Sequence, residues 1–515
     1  MKAALILSAV AIFSATRPGS CGPVPLENGT IATGSYLSAR GAGPVALPGN
    51  EAKSDSGTSI SRVIMLKYSE NRPWETILSN MGLGSEIKEI KTANRSSSLE
   101  ESAFGTLRYF KTSGGRNIRT SGGQGGTMRV LATNLTESEV NRVRSFEYVE
   151  LVEDDKMSRM IDPLPPAQPG AKRPPKMARP QQDGTHDSSL PRCGARGFDG
   201  KDLPVISQCG APWGLERISS RESSMNLDGN DVTSLAYKYI FNEGAGLGVD
   251  VYVMDTEIEV EHAEFEGRAQ TLWRANQFTG KGKASGHGTH VAGIIASKTY
   301  GIAKAARIYG IAVLVEHSGG TIDYIEATNI IILHHRSRRS LRGFSGSIVN
   351  ISLGAPGAEY WDSIMRLLTD EGIHVSVSAG NNDGNSCEQS PARSSAVVPI
   401  ITVGNLSFDG YRALNSNWGP CVSIFAPGSE VVSLGVTKES APLIMGGTSM
   451  AAPHVAGVMA TELSLHPAFK FNPQALKNHI IGMGLKGIIK LQRQGERERG
   501  VAEAVVLNNG FPGRR

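Results

Sequence analysis

The chain has 515 residues, 39% of them hydrophobic and 20% charged, and a formal net charge of +4. That length allows more than one domain, and so small a net charge gives no electrostatic case for nucleic acid or a membrane surface as a partner. Met1-Lys2 followed by the apolar run Ala3 to Phe13 reads as a secretory signal over residues 1–20, with Ala15 and Ser20 both open as cleavage points. A buried N-terminal strand is the alternative. No later run is apolar and long enough to span a bilayer, so a secreted, extracellular protein is expected. Residues 21–60 are rich in Gly, Ser and Pro without periodicity and read as a disordered leader. Sequons stand at Asn28, Asn94, Asn134, Asn350 and Asn405; Asn350, in an apolar run, is the least suited to modification. Five cysteines, an odd number, leave one unpaired unless signal removal takes Cys21 away.

Residues 61–155 read as a small α+β module of β-α-β-β-α-β type. Strands are expected at residues 61–68, 128–132 and 148–152, helices at 71–81 and 137–146, and a glycine-rich loop from Gly114 to Gly126. Residues 156–205 hold a run of prolines from Pro163 to Pro180 and read as an extended, protease-accessible linker. From 206 to 509 apolar strand-like runs alternate with helical patterns. Strands are expected at 249–254, 307–315, 347–352, 374–378, 400–404 and 424–425. Helices are expected at 287–297, 322–333, 360–370, 449–465 and 472–481. The alternation predicts an α/β fold with a mostly parallel sheet and helices on both faces. The basic segment His334 to Ser340 reads as an exposed helix-to-strand loop.

Four segments carry candidate chemistry. Val251 to Asp255 ends an apolar strand in a carboxylate, at the sheet edge where open α/β folds place their sites; a plain turn aspartate is the bland reading. Gly286-His287-Gly288-Thr289-His290 opens a helix with an imidazole on a glycine turn. Its spacing does not suit a metal pair, and His290 reads as packed within the fold. Ser378-Ala379-Gly380-Asn381 ends a strand in small residues and a carboxamide able to donate an N–H. Gly446-Gly447-Thr448-Ser449 delivers a hydroxyl to a helix start, with Pro453 read as part of the first turn; a capping serine is the alternative. Together they fit one mechanism: Ser449 as nucleophile, His287 as proton carrier, Asp255 as its orienting carboxylate, and Asn381 with the Ser449 amide as oxyanion donors.

At these residues the chain resembles the subtilisin family of serine proteases, in its secreted proteinase K-like branch. Gly286 to Gly293 and Gly447 to Gly457 carry the likeness most specifically, and it extends over about residues 205–480. The resemblance implies a three-layer fold and a serine endopeptidase made as a zymogen. Ser352-Leu353-Gly354 and Ser378-Ala379-Gly380 resemble the two backbone walls of the family's substrate cleft. Their small side chains imply a roomy pocket with a preference for apolar or aromatic residues. Residues 61–155 resemble the family's inhibitory I9-type propeptide, whose tail lies in that cleft. Cys387 and Cys421 match a disulfide of bacterial members; Cys193 with Cys209 is a weaker second pairing. The implied partners are protein and peptide substrates and the chain's own propeptide, with no nucleic acid or membrane and a monomeric state. No cofactor is required by the chemistry, no metal ligand is assigned, and a structural calcium is possible, although Ser423 stands where calcium-binding relatives have Asp. Glu257 stands where the family usually has Gly. If that position needs positive φ, strain follows, and a catalytically impaired binding protein that keeps its propeptide becomes the alternative.

Overall fold

The computed structural model describes residues 59–67, 70–83, 87–93, 107–112, 116–122, 127–155, 158–160, 197–198, 204–222, 231–275, 286–315, 318–437, 440–491, 495–496 and 499–511. All of them lie in one compact unit, Ser56–Arg515. The signal, the leader, most of the linker, Cys21, Cys193, Asn28 and Asn94 lie outside the described residues.

A nine-stranded sheet organises the larger part of the chain. Its order is Ala269–Arg274, Arg307–Ala312, Val249–Asp255, Gly346–Ile351, His374–Ser378, Ile401–Leu406, Ile424–Pro427, Val505–Val506 and Leu485–Lys486. Every pairing is parallel except the last. The near-continuous apolar runs of its central strands follow from burial on both faces. Side chains alternate across it. Val249, Val251 and Val253 enter one core with the helices His287–Ala296 and Thr448–Leu465. Tyr252 and Met254 enter the other with the helices Thr321–Arg338 and Glu359–Asp370. The result is the expected three-layer α/β architecture, preceded by a smaller α+β module. Among the described residues no helix is long and apolar enough to cross a membrane.

The module is richer in strands than expected. It is a six-stranded antiparallel sheet ordered Ile87–Ala93, Leu107–Thr112, Asn117–Ser121, Arg129–Leu135, Ile60–Leu66 and Val149–Asp154, with the helices Trp74–Asn80 and Glu137–Arg144. The stretch read as a glycine loop contains the strand Asn117–Ser121, whose Ile118 joins the module's core; the flanking glycines masked a short alternating run. Val63, Met65, Met128 and Val130, on the opposite face, pack in the core formed with Thr321–Arg338 and Glu359–Asp370.

The basic segment at residue 334 is not a loop. The helix runs on to Arg338. His334 and His335 are buried, bonded through Nδ1 to Tyr252 OH (2.9 Å) and Ser347 Oγ (2.9 Å). Arg336 reaches Glu371 (3.0 Å) and Arg338 reaches Asp250 (2.8 Å). Cations near a helix C-terminus also meet the favourable end of its dipole. Their charge was legible, but their partners on other elements were not.

Pro453 is the sixth residue of Thr448–Leu465, a helix-interior position and not the first turn. A proline there supplies no N–H to the carbonyl four residues back, that of Ser449. Ser352 Oγ takes its place, donating to Ser449 O at 2.9 Å, while itself accepting from Asn350 Nδ2 at 3.0 Å. Ser376 Oγ likewise donates to Ala452 O at 2.9 Å. Ser352, just past the strand Gly346–Ile351, and Ser376, inside His374–Ser378, thus tie this helix to the sheet. Ser352→Ala should cost about 1–3 kcal/mol, the range for orphaning buried polar groups. In a Pro453→Ala background, where the restored amide can serve Ser449 O, the same substitution should cost less. Denaturant unfolding of the four proteins measures this coupling, and strict additivity would refute the compensation.

Candidate active site

Asp255 shares parity with Val251 and Val253, so it faces the helix His287–Ala296. Its Oδ1 accepts from His287 Nδ1 at 2.7 Å and from its neighbour's amide, Thr256 N, at 2.7 Å. Both side chains are buried. This bond fixes the imidazole so that Nε2 points away from the carboxylate. Gly286, at φ 84°, makes the turn that aims His287 back along the strand end. Gly288 must be glycine for closeness: a Cβ there would lie 2.4 Å from Thr256 O. Its amide instead donates to Thr256 Oγ1 at 2.9 Å.

Ser449 stands on the second residue of a helix that packs against the helix of His287. Its amide is among those a helix start leaves unpaired. Its Oγ donates to Ser352 O at 3.2 Å. Asn381 Oδ1 accepts from Thr448 N (2.8 Å) and Thr448 Oγ1 (2.9 Å). With Oδ1 so held, the amide's Nδ2 is turned toward Gly447, where a Cβ would come within 2.8 Å of it. Gly447 adopts φ 139° and so both makes the entry turn and leaves room for that N–H pair. The structure thus brings Asp255, His287, Asn381 and Ser449 to one sheet edge.

Two backbone walls flank the edge. Leu353–Pro356, which contains Leu353 and Gly354, is one. The other is Ser318-Gly319, a segment the sequence reading did not single out. A Cβ at Gly319 would meet Val313 O at 2.4 Å, so the paired glycines 319–320 were the available signal. Between the walls runs the strand Ser158–Met160, antiparallel to both. Leu353 is opposite Met160 and Gly354 opposite Arg159; Ser318 is opposite Arg159 and Gly319 opposite Ser158. Ser378, Ala379 and Gly380 are buried behind the site, with Gly380 N donating to Thr448 Oγ1 at 3.2 Å. Gly380, at φ 110°, leaves no room for a Cβ beside Asn417 Nδ2.

The module holds its last strand against the larger part by further polar contacts. The helix Glu359–Asp370 has no side-chain cap of its own. Glu153 supplies one, accepting from Glu359 N (3.0 Å) and Tyr360 N (3.1 Å); a carboxylate there also favours the helix dipole. Asn329 exchanges two 2.8 Å bonds with the Met128 backbone. Arg119 pairs with Asp323 at 2.5 Å and stands 3.5 Å from Glu326. Burial pushes the Glu326 carboxyl up to about 7, despite Arg119.

Glu257 has no positive φ. Its carboxylate accepts from Arg274 Nε at 2.7 Å, so the strain that motivated a binding-protein reading is absent. His290 is packed as expected, Nε2 on Val431 O (3.0 Å) and Leu443 O (3.1 Å), and burial lowers it to about 3. Ser423 Oγ accepts from Thr402 N at 3.3 Å. Cys387 and Cys421 form a disulfide. Cys209 is also disulfide-bonded, to a partner outside the described residues. Asn350 and Asn405 are buried, and Asn134 is exposed.

The likeness to known proteins follows the same residues. A model of the subtilase family matches residues 246–495. Subtilisin-like proteinase Spm1 of Pyricularia oryzae is 39% identical over 297 residues, 54% of this chain and 53% of that protein. Subtilisin-like protease 3 of Saccharomyces cerevisiae is 39% identical over 292 residues, 54% of this chain and 58% of its own length. A cold-adapted subtilisin-like serine proteinase of known structure is 30% identical, the match covering 58% of this chain and 98% of that one, with a TM-score of 0.49. The chain spans little more than half the length of these two curated relatives. Its Asp255, His287 and Ser449 lie inside the matched region, and residues 246–495 are a domain of the subtilase family.

Proposed function

We propose that the chain is a secreted serine endopeptidase made as a zymogen. The observation that carries the reading is the convergence of Asp255–His287, Ser449 and Asn381 between two walls that already hold an extended strand by β-pairing. A substrate peptide takes the place of Ser158–Met160 as an added strand, its backbone bonded to both walls. Ser449 Oγ leaves Ser352 O and attacks the scissile carbonyl, giving its proton to His287 Nε2. Asp255 steadies the imidazolium through the 2.7 Å bond at Nδ1. Asn381 Nδ2 and Ser449 N hold the oxyanion. His287 then protonates the leaving amine, and water repeats the sequence on the acyl-enzyme. The small residues 378–380 behind the site favour apolar or aromatic side chains beside the scissile bond.

Residues 61–155 act as the inhibitory propeptide. The strand Ser158–Met160 ends opposite Leu353, next to Ser352, whose carbonyl accepts from Ser449 Oγ. We place self-cleavage in the linker, a short way carboxyl-terminal to Met160.

Ser449→Ala should leave a single uncleaved species and abolish labelling by a fluorophosphonate probe. The unsubstituted chain should label and release a fragment ending in the linker beyond Met160 by intact mass. Equal inertness of both proteins after removal of the module would sink the reading. Asn381→Ala should lower kcat about 100- to 1,000-fold, as loss of this kind of donor does in subtilisin itself. Gly447→Ala, by displacing the same amide, should lower kcat in the same direction with KM little changed.

The module's affinity for the mature enzyme should depend on pH through Glu326. Its carboxyl is at about 7 when the module covers it and returns toward its usual 4.5 when the module, with Arg119, leaves and water reaches it. A raised pKa in the complex means that binding takes up a proton between those values. Affinity should therefore fall as pH rises from about 4.5 to about 7, by at most about tenfold per unit, and level off above. Inhibition constants across pH measure this, and Glu326→Gln should flatten the profile.

A further inference from the structure

Away from the cleft, the far end of the Ser449 helix gathers three metal-binding side chains. Glu462 is in the last turn of Thr448–Leu465, His466 caps that helix, and His479 stands on the following helix, Pro473–Met483. His479 Nε2 lies 2.7 Å from Glu462 Oε2, and His466 Nε2 lies 3.4 Å from the same oxygen. One donor atom from each of the three lies within 4.8 Å of the others. We propose that Glu462, His466 and His479 form a binding site for a borderline divalent metal ion such as Zn2+.

The donor set and spacing support this. Two imidazoles and one carboxylate are a ligand set zinc takes in proteins, with a fourth position left for water. Bonds of about 2.0–2.1 Å in a tetrahedron put neighbouring donors about 3.3 Å apart. The 3.4 Å pair already fits, the 2.7 Å pair must open slightly, and the third must draw in. Glu462 and His466 are four residues apart, so a helical turn stacks them on one face. The Glu462 side chain is only 6% exposed, whereas those of His466 and His479 are 28% and 30% exposed. The carboxylate is thus anchored, while the imidazoles line an opening through which an ion can enter. Phe469 packs against both rings, with centroids 5.6 Å from His466 and 4.9 Å from His479, and restricts their orientation. One carboxylate and two nitrogens do not suit calcium or magnesium, which favour oxygen donors. Thirteen residues of helix separate Ser449 from Glu462, about 20 Å at 1.5 Å per residue. Bound metal therefore clamps two helices and stays out of the reaction.

The test uses full-length Ser449→Ala protein, stripped with chelator so that self-digestion does not intrude. Titration with ZnCl2 by calorimetry should show one saturable site, and Zn2+ should raise Tm. Co2+ in its place should give the visible absorption of a tetrahedral complex. His479→Ala and His466→Ala, both on partly exposed side chains, should each weaken Zn2+ at least tenfold and abolish the Co2+ band and the Tm rise. Isotherms and Tm responses unchanged in both variants, or no saturable site in the parent protein, would overturn the proposal. A cluster that is only a histidine–carboxylate hydrogen-bond pair gives the second of these results.

Discussion

The Asp255 carboxylate is the group on which the arrangement turns. It is completely buried, and a buried carboxylate is tolerable only when hydrogen bonds replace its water. Two donors do so at one oxygen: the Thr256 amide, fixed by the strand end, and His287 Nδ1, fixed by the helix start. The second donor needs the helix of His287 to come close to the strand end. Gly288 permits that approach and Gly286 turns the chain into it. A side chain at Gly288 would push the helix away from Thr256 and with it the imidazole from the carboxylate. One electrostatic requirement therefore explains the glycine spacing around His287.

The Ser449 side of the site solves a different problem. Pro453 removes a helix bond inside the element that must be held most firmly, and Ser352 replaces it from the cleft wall. The wall that would bind a peptide and the helix that would cleave it are thus bonded to each other. Asn381 adds a second tie, gripping Thr448 through Oδ1. Neither tie lies within one motif. Each joins segments 67 or 97 residues apart.

Much of this was legible in the sequence. Alternating strand and helix patterns from Val249 to Ile481 gave the parallel sheet nearly element by element, because strands buried on both faces are written as unbroken apolar runs. The candidate site was legible because its glycines, hydroxyl, imidazole and carboxylate stand at element boundaries, where position along the chain fixes direction. The misreadings share a cause. His334 to Ser340 looked like a solvated loop because Asp250, Glu371, Tyr252 and Ser347, which accept or bury those side chains, lie on other elements. Asn117–Ser121 hid among glycines because a five-residue strand carries little periodicity. Glu257 looked strained because its backbone angle and its partner Arg274 are not written locally.

The sequence by itself determined the order of elements, the parity that turns Asp255 toward His287, and the residue types able to perform acyl transfer. These follow from covalent periodicity: two residues per strand repeat, 3.6 per helical turn, and glycine wherever a Cβ cannot fit. The tertiary structure alone decided which distant groups complete the site. It brought Ser318-Gly319 opposite Leu353-Gly354, laid Ser158–Met160 between them, set Glu153 on a helix start 206 residues away, and carried His479 to Glu462. Such pairings depend on how whole layers pack, and no local pattern along the chain encodes them.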